Sequence, residues 1–141
     1  MKLITSHINA DFDALASMIA AKKIYPGAAI VFPGSQERKV RDFIEVFNPV
    51  EIKRLKDIDP DAVTHLIIVD AKHADRIGPL ASLLHNKAVK IHIFDHHPFE
   101  KKDIRGEVEK TEDVGATATI FSELLMEKKL HPSPMEATIL A

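Results

Sequence analysis

The chain has 141 residues, 45% of them hydrophobic and 28% charged, with a formal net charge of −2. That is one domain's worth of chain with one core, and it carries no global basic field of the kind that draws in nucleic acid. No apolar run is long enough to span a bilayer, "MKLITSHINAD" lacks the apolar region of a signal peptide, and the absence of cysteine excludes disulfides and thiolate zinc sites, so a cytoplasmic location is expected.

Strand-like and helical segments alternate along the chain. "KLIT" predicts a first strand, and "DALASMIAAKKIY" a helix with Asp13 as its N-cap, stopped by Pro26-Gly27. "AAIVFP" predicts a second strand closed by Pro33-Gly34, and "ERKVRDFIEVF" sets Val40, Phe43, Ile44 and Phe47 at helical spacing. "THLIIVDA" is nearly continuous in apolar residues, the pattern of a strand buried on both faces. "RIGPLASLLHN" predicts a helix starting near Pro79, "VKIHIFD" another strand, and "GATATIFSELLMEKKL" a helix with lysines near its end. The alternation predicts an α/β fold, a parallel sheet with helices on both faces in a Rossmann-like three-layer arrangement. Two local basic clusters, Arg38, Lys39, Arg41 and Lys101, Lys102, Arg105, fit solvated faces, although a phosphate-bearing substrate could use one.

In such folds ligands gather outside the carboxyl ends of the strands, and three of those ends carry ligand-type residues. "HINADFDA" sets His7, Asn9, Asp11 and Asp13 at every second position, which in an extended segment turns all four to one side. Asp70 follows "HLIIV", and Asp95, His96 and His97 follow "KIHIF". Singly, each has an ordinary explanation: a helix cap for Asp13, a solvated strand end for Asp70, a turn-former for Asn9. Together they crowd carboxylates that repel one another unless a cation lies among them. A sulfur-free set of carboxylates and imidazoles suits Mn²⁺, Fe²⁺ or Zn²⁺ better than Ca²⁺, and its size suits two ions better than one. His65, His73, His85, His92 and His131 earn no such expectation.

"HINADFDA", the strand-end Asp70, "FDHH" and "GATATI", in that order, resemble the motifs of the DHH phosphoesterase superfamily over essentially the whole chain. The group includes single-strand exonucleases, oligoribonucleases, cyclic-dinucleotide phosphodiesterases and manganese pyrophosphatases. The resemblance implies hydrolysis of a phosphodiester or phosphoanhydride bond in a nucleotide or RNA, with two Mn²⁺ as cofactors and Mg²⁺, Co²⁺ or Zn²⁺ as alternatives. It implies that His7, Asp11 and Asp70 hold one ion and Asp13, Asp70 and His96 the other, with Asp70 shared. It further implies that His97 faces the substrate phosphate, that Asp95 supports the histidines, and that Gly115, Ala116 and Thr117 form an anion seat at a helix N-terminus. The longer stretch from Ser6 to Phe43 resembles the first segment of large fused proteins that continue into CBS domains and a poly(A)-polymerase-like tRNA nucleotidyltransferase.

Family members supply a further aspartate from a strand after the helix that begins at "PSPMEATILA", and a second, substrate-gripping domain. Residues 1–141 are therefore expected to be a fragment that works with downstream domains, with an exposed edge that permits oligomer formation. The rival reading is a non-hydrolytic module that binds a nucleotide or RNA end. A receiver-like single-Mg²⁺ domain accounts for Asp11, Asp13 and Asp70 but leaves His7, His96 and His97 idle.

Overall fold

The computed structural model describes residues 1–97, 103–111 and 116–140. Its centre is a six-stranded, all-parallel sheet of order β3-β2-β1-β4-β5-β6, from β1 (Lys2–Thr5), β2 (Ala29–Val31), β3 (Ile52–Lys53), β4 (His65–Val69), β5 (Lys90–Asp95) and β6 (Val108–Thr111). The α-helices are α1 (Phe12–Ile24), α2 (Arg38–Phe47), α3 (Thr117–Glu127) and α4 (Pro134–Leu140). None of these helices is long and apolar enough to cross a membrane.

Side-chain alternation along the strands divides the core in two. Ile4, Ile67, Val69 and Phe94 face α1, α3 and α4 and share their core with Val40 of α2. Leu3, Leu66, Ile68 and Ile93 face the other way. The α/β three-layer arrangement holds, but the second layer is not α-helical. The segment predicted as a helix near Pro79 is a 3₁₀ stretch, Gly78–His85, which packs Leu80 and Leu83 on the sheet beside Val63 and Ile77. Gly78 at its start has φ +55°, and a Cβ there would lie 2.9 Å from the Pro33 carbonyl oxygen. That left-handed start, with Pro79 lacking an N–H, favours the tighter helix.

Two strands escape the sequence pattern. The chain winds outward from β1 through β2 to β3, then returns to the other side of β1 and winds through β4 and β5 to β6. The reversal between β1 and β4 leaves a crevice at their carboxyl ends, where ligands bind in such sheets. Register aligns the tips: Thr5 pairs with Ile68 and Val69 with Phe94, so two steps on His7 lies level with Asp70, and Asp70 with Asp95.

Candidate metal centre

The loop after β1 is not extended, as the every-second-residue pattern implied. Asn9 adopts φ +58°, a left-handed conformation that asparagine tolerates, and lies exposed outside the site. Ala10 is bridged to Gln36, and its carbonyl accepts from the Glu37 N–H at 2.9 Å. The N-cap of α1 is Asp11 rather than Asp13: the Ala14 N–H donates to Asp11 Oδ1 at 2.9 Å. The earlier start follows from Phe12 and Asp13 taking helical conformation, and it puts Asp13 in the first turn, where a carboxylate suits the helix dipole. Asp70 also has a left-handed backbone, φ +58°. Such a conformation costs of order 1–3 kcal/mol and persists where surroundings enforce it.

His7, Asp11, Asp13, Asp70, His96 and His97 line one cavity of about 690 Å³. His7 Nε2 lies 3.3 Å from Asp70 Oδ2 and 3.9 Å from Asp11 Oδ1. On the other side, His96 Nε2 lies 3.3 Å from Asp70 Oδ1 and 3.7 Å from Asp13 Oδ2. Each Asp70 oxygen therefore faces a different histidine. Among the described residues two groups have ligand atoms clustered within 4.8 Å, His7–Asp11–Asp70 and Asp70–His96–His97, and they share Asp70.

Asp70 is buried, and burial together with the charges of Asp13 and Asp11 raises its pKa, against the hydrogen bond from His7. Burial acts to lower the pKa of His7, but hydrogen bonds to Asp70 and to the Ile8 carbonyl, with the Asp70 and Asp11 charges, raise it overall. The pair thus holds a proton more tightly than its members would apart. It is an excess of negative charge in a place water hardly reaches.

Behind this layer lies an ionic group that the sequence did not disclose. Lys72, only 3% exposed, sets its ammonium 3.3 Å from Asp103 Oδ2 and 3.7 Å from Asp95 Oδ2. It also donates to the His97 carbonyl oxygen at 2.5 Å. Asp95, fully buried, accepts from His97 Nδ1 at 2.6 Å and from the His97 backbone N–H at 3.2 Å. His73, expected to have no role, lines the cavity with its Nε2 3.5 Å from Asp103 Oδ1. Arg76 joins the same wall. Only the position of Lys72 two residues past a strand-end aspartate hinted at any of this.

The N-terminus of α3 is an anion seat filled by the protein itself. The N–H groups of Thr117 and Ala118 donate to the two Asp13 oxygens at 3.0 and 2.8 Å, and the Thr117 hydroxyl donates to Asp70 Oδ1 at 3.0 Å. In this arrangement Thr117 turns both donors to carboxylates and offers neither to substrate. Ala116 lines the cavity, and Gly115 lies outside the described residues.

The donor set fits divalent cations. Three carboxylates and two imidazole Nε2 atoms converge, while the cations nearest them, Lys72 and Arg76, point to Asp95, Asp103 and His7 Nδ1. Oxygen and imidazole nitrogen without sulfur suit Mn²⁺, Zn²⁺ or Fe²⁺. His7 Nδ1, 2.9 Å from the Ile8 carbonyl, has the backing that fixes the tautomer of a ligating histidine.

Solved structures that share this fold include the following two. A putative family II inorganic pyrophosphatase from Methanococcus jannaschii superposes with a TM-score of 0.76 at 22% identity, over 99% of this chain and 46% of that one. An exopolyphosphatase-related protein from Bacteroides fragilis gives 0.71 at 14% identity, over 89% and 39%. Among curated proteins, A-adding tRNA nucleotidyltransferases are similar, at 42% identity over 142 residues for Geobacter sulfurreducens and 28% over 141 for Aquifex aeolicus. The chain spans 16% of the length of each of those relatives, with 99% of itself aligned. The profile of the DHH family, N-terminal domain, matches residues 2–141, and with the strand-tip acids and histidines brought to one crevice, the chain belongs to the DHH family.

Proposed function

We propose that this domain hydrolyses phosphodiester or phosphoanhydride bonds in a nucleotide or RNA substrate, using two Mn²⁺ ions. The observation that carries the reading is Asp70, buried, with its two oxygens each 3.3 Å from a different imidazole. His7, Asp11 and Asp70 would hold one ion, and Asp70, His96 and Asp13 the other. When bound, such a pair supplies an acidified water and a counter-charge for the phosphoryl oxygens.

The protein's own groups do the rest. Lys72 and Asp95 fix the backbone and ring of His97. With Nδ1 engaged by Asp95 and the ring half-exposed in the cavity, His97 presents Nε2 to substrate. From there it can donate a hydrogen bond to the phosphoryl group or a proton to the leaving oxygen. The left-handed turn at Asp70 keeps its carboxylate between the two histidines.

The A-adding relatives support placing this domain in a larger tRNA nucleotidyltransferase-like protein, and the role we propose for it there is trimming RNA 3′ ends. The test is incubation of the full-length protein with short RNA oligomers and Mn²⁺. Metal-dependent shortening that stops in Asp70→Asn supports the reading, and intact oligomers overturn it. One observation favours a second reading, a non-hydrolytic module that binds a nucleotide or RNA end: both Asp13 oxygens are already engaged by α3. A stoichiometry of one Mn²⁺ per chain, without hydrolysis, would select it.

A further inference from the structure

His7 Nδ1 faces two groups at once, the Ile8 carbonyl oxygen at 2.9 Å and Arg76 Nη2 at 3.2 Å. It can donate to the first or accept from the second, but the two require opposite tautomers. If Nε2 gives its lone pair to a cation, the ring proton sits on Nδ1 and goes to Ile8. In either tautomer His7 engages at most one of the five N–H donors of Arg76. Other basic side chains on the same wall are matched: Lys72 by Asp95 and Asp103, His73 by Asp103. Among the described residues no carboxylate pairs with Arg76, and its chain neighbour Asp75 lines the cavity without an ion pair to it. Meanwhile the Arg76 backbone is fixed to the site, its carbonyl accepting from the Ile8 N–H at 2.7 Å. An exposed guanidinium with donors in a planar fork, anchored at the rim and without a carboxylate partner among the described residues, is suited to a tetrahedral oxyanion.

We propose that Arg76 is a substrate-anion clamp: it binds non-bridging oxygens of a phosphoryl group from the rim of the metal centre. This inference rests on the metal-centre reading and adds to it the side from which the phosphoryl group is gripped.

The test uses inorganic phosphate as the probe, titrated calorimetrically into wild type, Arg76→Ala and Arg76→Lys, each with Mn²⁺ and with chelator. Mn²⁺ binding is measured separately. All three proteins should take Mn²⁺ with equal stoichiometry. With Mn²⁺ present, Arg76→Ala should bind phosphate roughly ten- to a hundredfold more weakly, as for a lost charge-assisted hydrogen bond, and Arg76→Lys should recover part of the loss. With chelator, all three should bind phosphate more weakly, because the carboxylates of the centre are then uncompensated. Equal phosphate affinity with Mn²⁺ would overturn the proposal. So would loss of Mn²⁺ from Arg76→Ala, because Arg76 would then serve His7 rather than the anion. A wild-type protein that takes no Mn²⁺ is a different failure, that of the metal-centre reading itself.

Discussion

The two ends of the sheet carry similar side chains in opposite electrostatic settings. At the amino end, His65 of β4 and His92 of β5 lie with ring centroids 5.7 Å apart. His92 Nδ1 meets the Tyr25 hydroxyl at 2.7 Å and its Nε2 an exposed Glu107 at 3.5 Å, while His65 meets the Thr64 hydroxyl. Burial lowers the pKa of His65, and the charges of Lys2, His92 and Lys90 lower it further. At the carboxyl end, carboxylates outnumber cations and the His7 pKa rises. Histidines on neighbouring strands therefore do not make a site. What separates the ends is how many buried acids the imidazoles must share.

Breaking the acidic end at its shared residue should have the largest effect. Asp70→Asn keeps the shape and tolerates the left-handed backbone, so the fold should survive while Mn²⁺ affinity or turnover falls. The loss should exceed about a hundredfold, the upper range for removing a group that merely supports a ligand. Equilibrium Mn²⁺ binding and RNA hydrolysis check this, and near-normal values would remove Asp70 from the centre. Next comes Lys72→Met, which leaves Asp95 and Asp103 without their ammonium. Breaking a buried pair from one side costs about 3–5 kcal/mol, visible in denaturant unfolding.

The pH response sharpens the comparison further. His7 is held above its ordinary value of 6.5, so the folded state binds more protons than the unfolded one. Its contribution to stability is fully present below 6.5 and is lost as pH rises through the higher folded value. Asp70, raised from 3.8, acts with the same sign at lower pH. His65 acts with the opposite sign, because its lowered pKa makes protonation oppose folding. In chelator, the thermal midpoint of wild type relative to His7→Gln should therefore fall as pH rises above 6.5. Mn²⁺ should remove that fall, since a cation replaces the proton. Smallest of all, His65→Gln should change stability by under about 0.5 kcal/mol and leave Mn²⁺ binding unchanged.

The sequence disclosed what depends on dense apolar runs and on the residues that end them. β1, β4, β5, α1 and α3 follow such runs, and His7, Asp11, Asp70 and His96 were visible because strand tips converge in a parallel sheet. β6 was not visible, because "VEKT" at the sheet edge has no apolar run to mark it. β3 is two residues long. Lys72 has no sequence sign of burial, since its partner Asp103 arrives from a segment 31 positions later, as the numbering shows. The Asp11 cap was missed because both Asp11 and Asp13 satisfy the composition rule for an N-cap, and only the backbone decides between them. Thr117 was expected to help seat a substrate anion, and no local pattern tells a helix N-terminus that its anion will be a carboxylate 104 positions earlier.

That last contact has a consequence for how the domain is born. Asp13 and Thr117 are 104 positions apart, so the hydrogen bonds that seat one acid of the centre close a loop of most of the domain. Contacts of such separation form late, because the intervening chain must be ordered first. During synthesis the acids of α1 emerge long before the amides that will hold Asp13, at the chain's ordinary rate of about 5–20 residues per second. For that interval the nascent chain carries half a centre, and assembly of the site waits on α3.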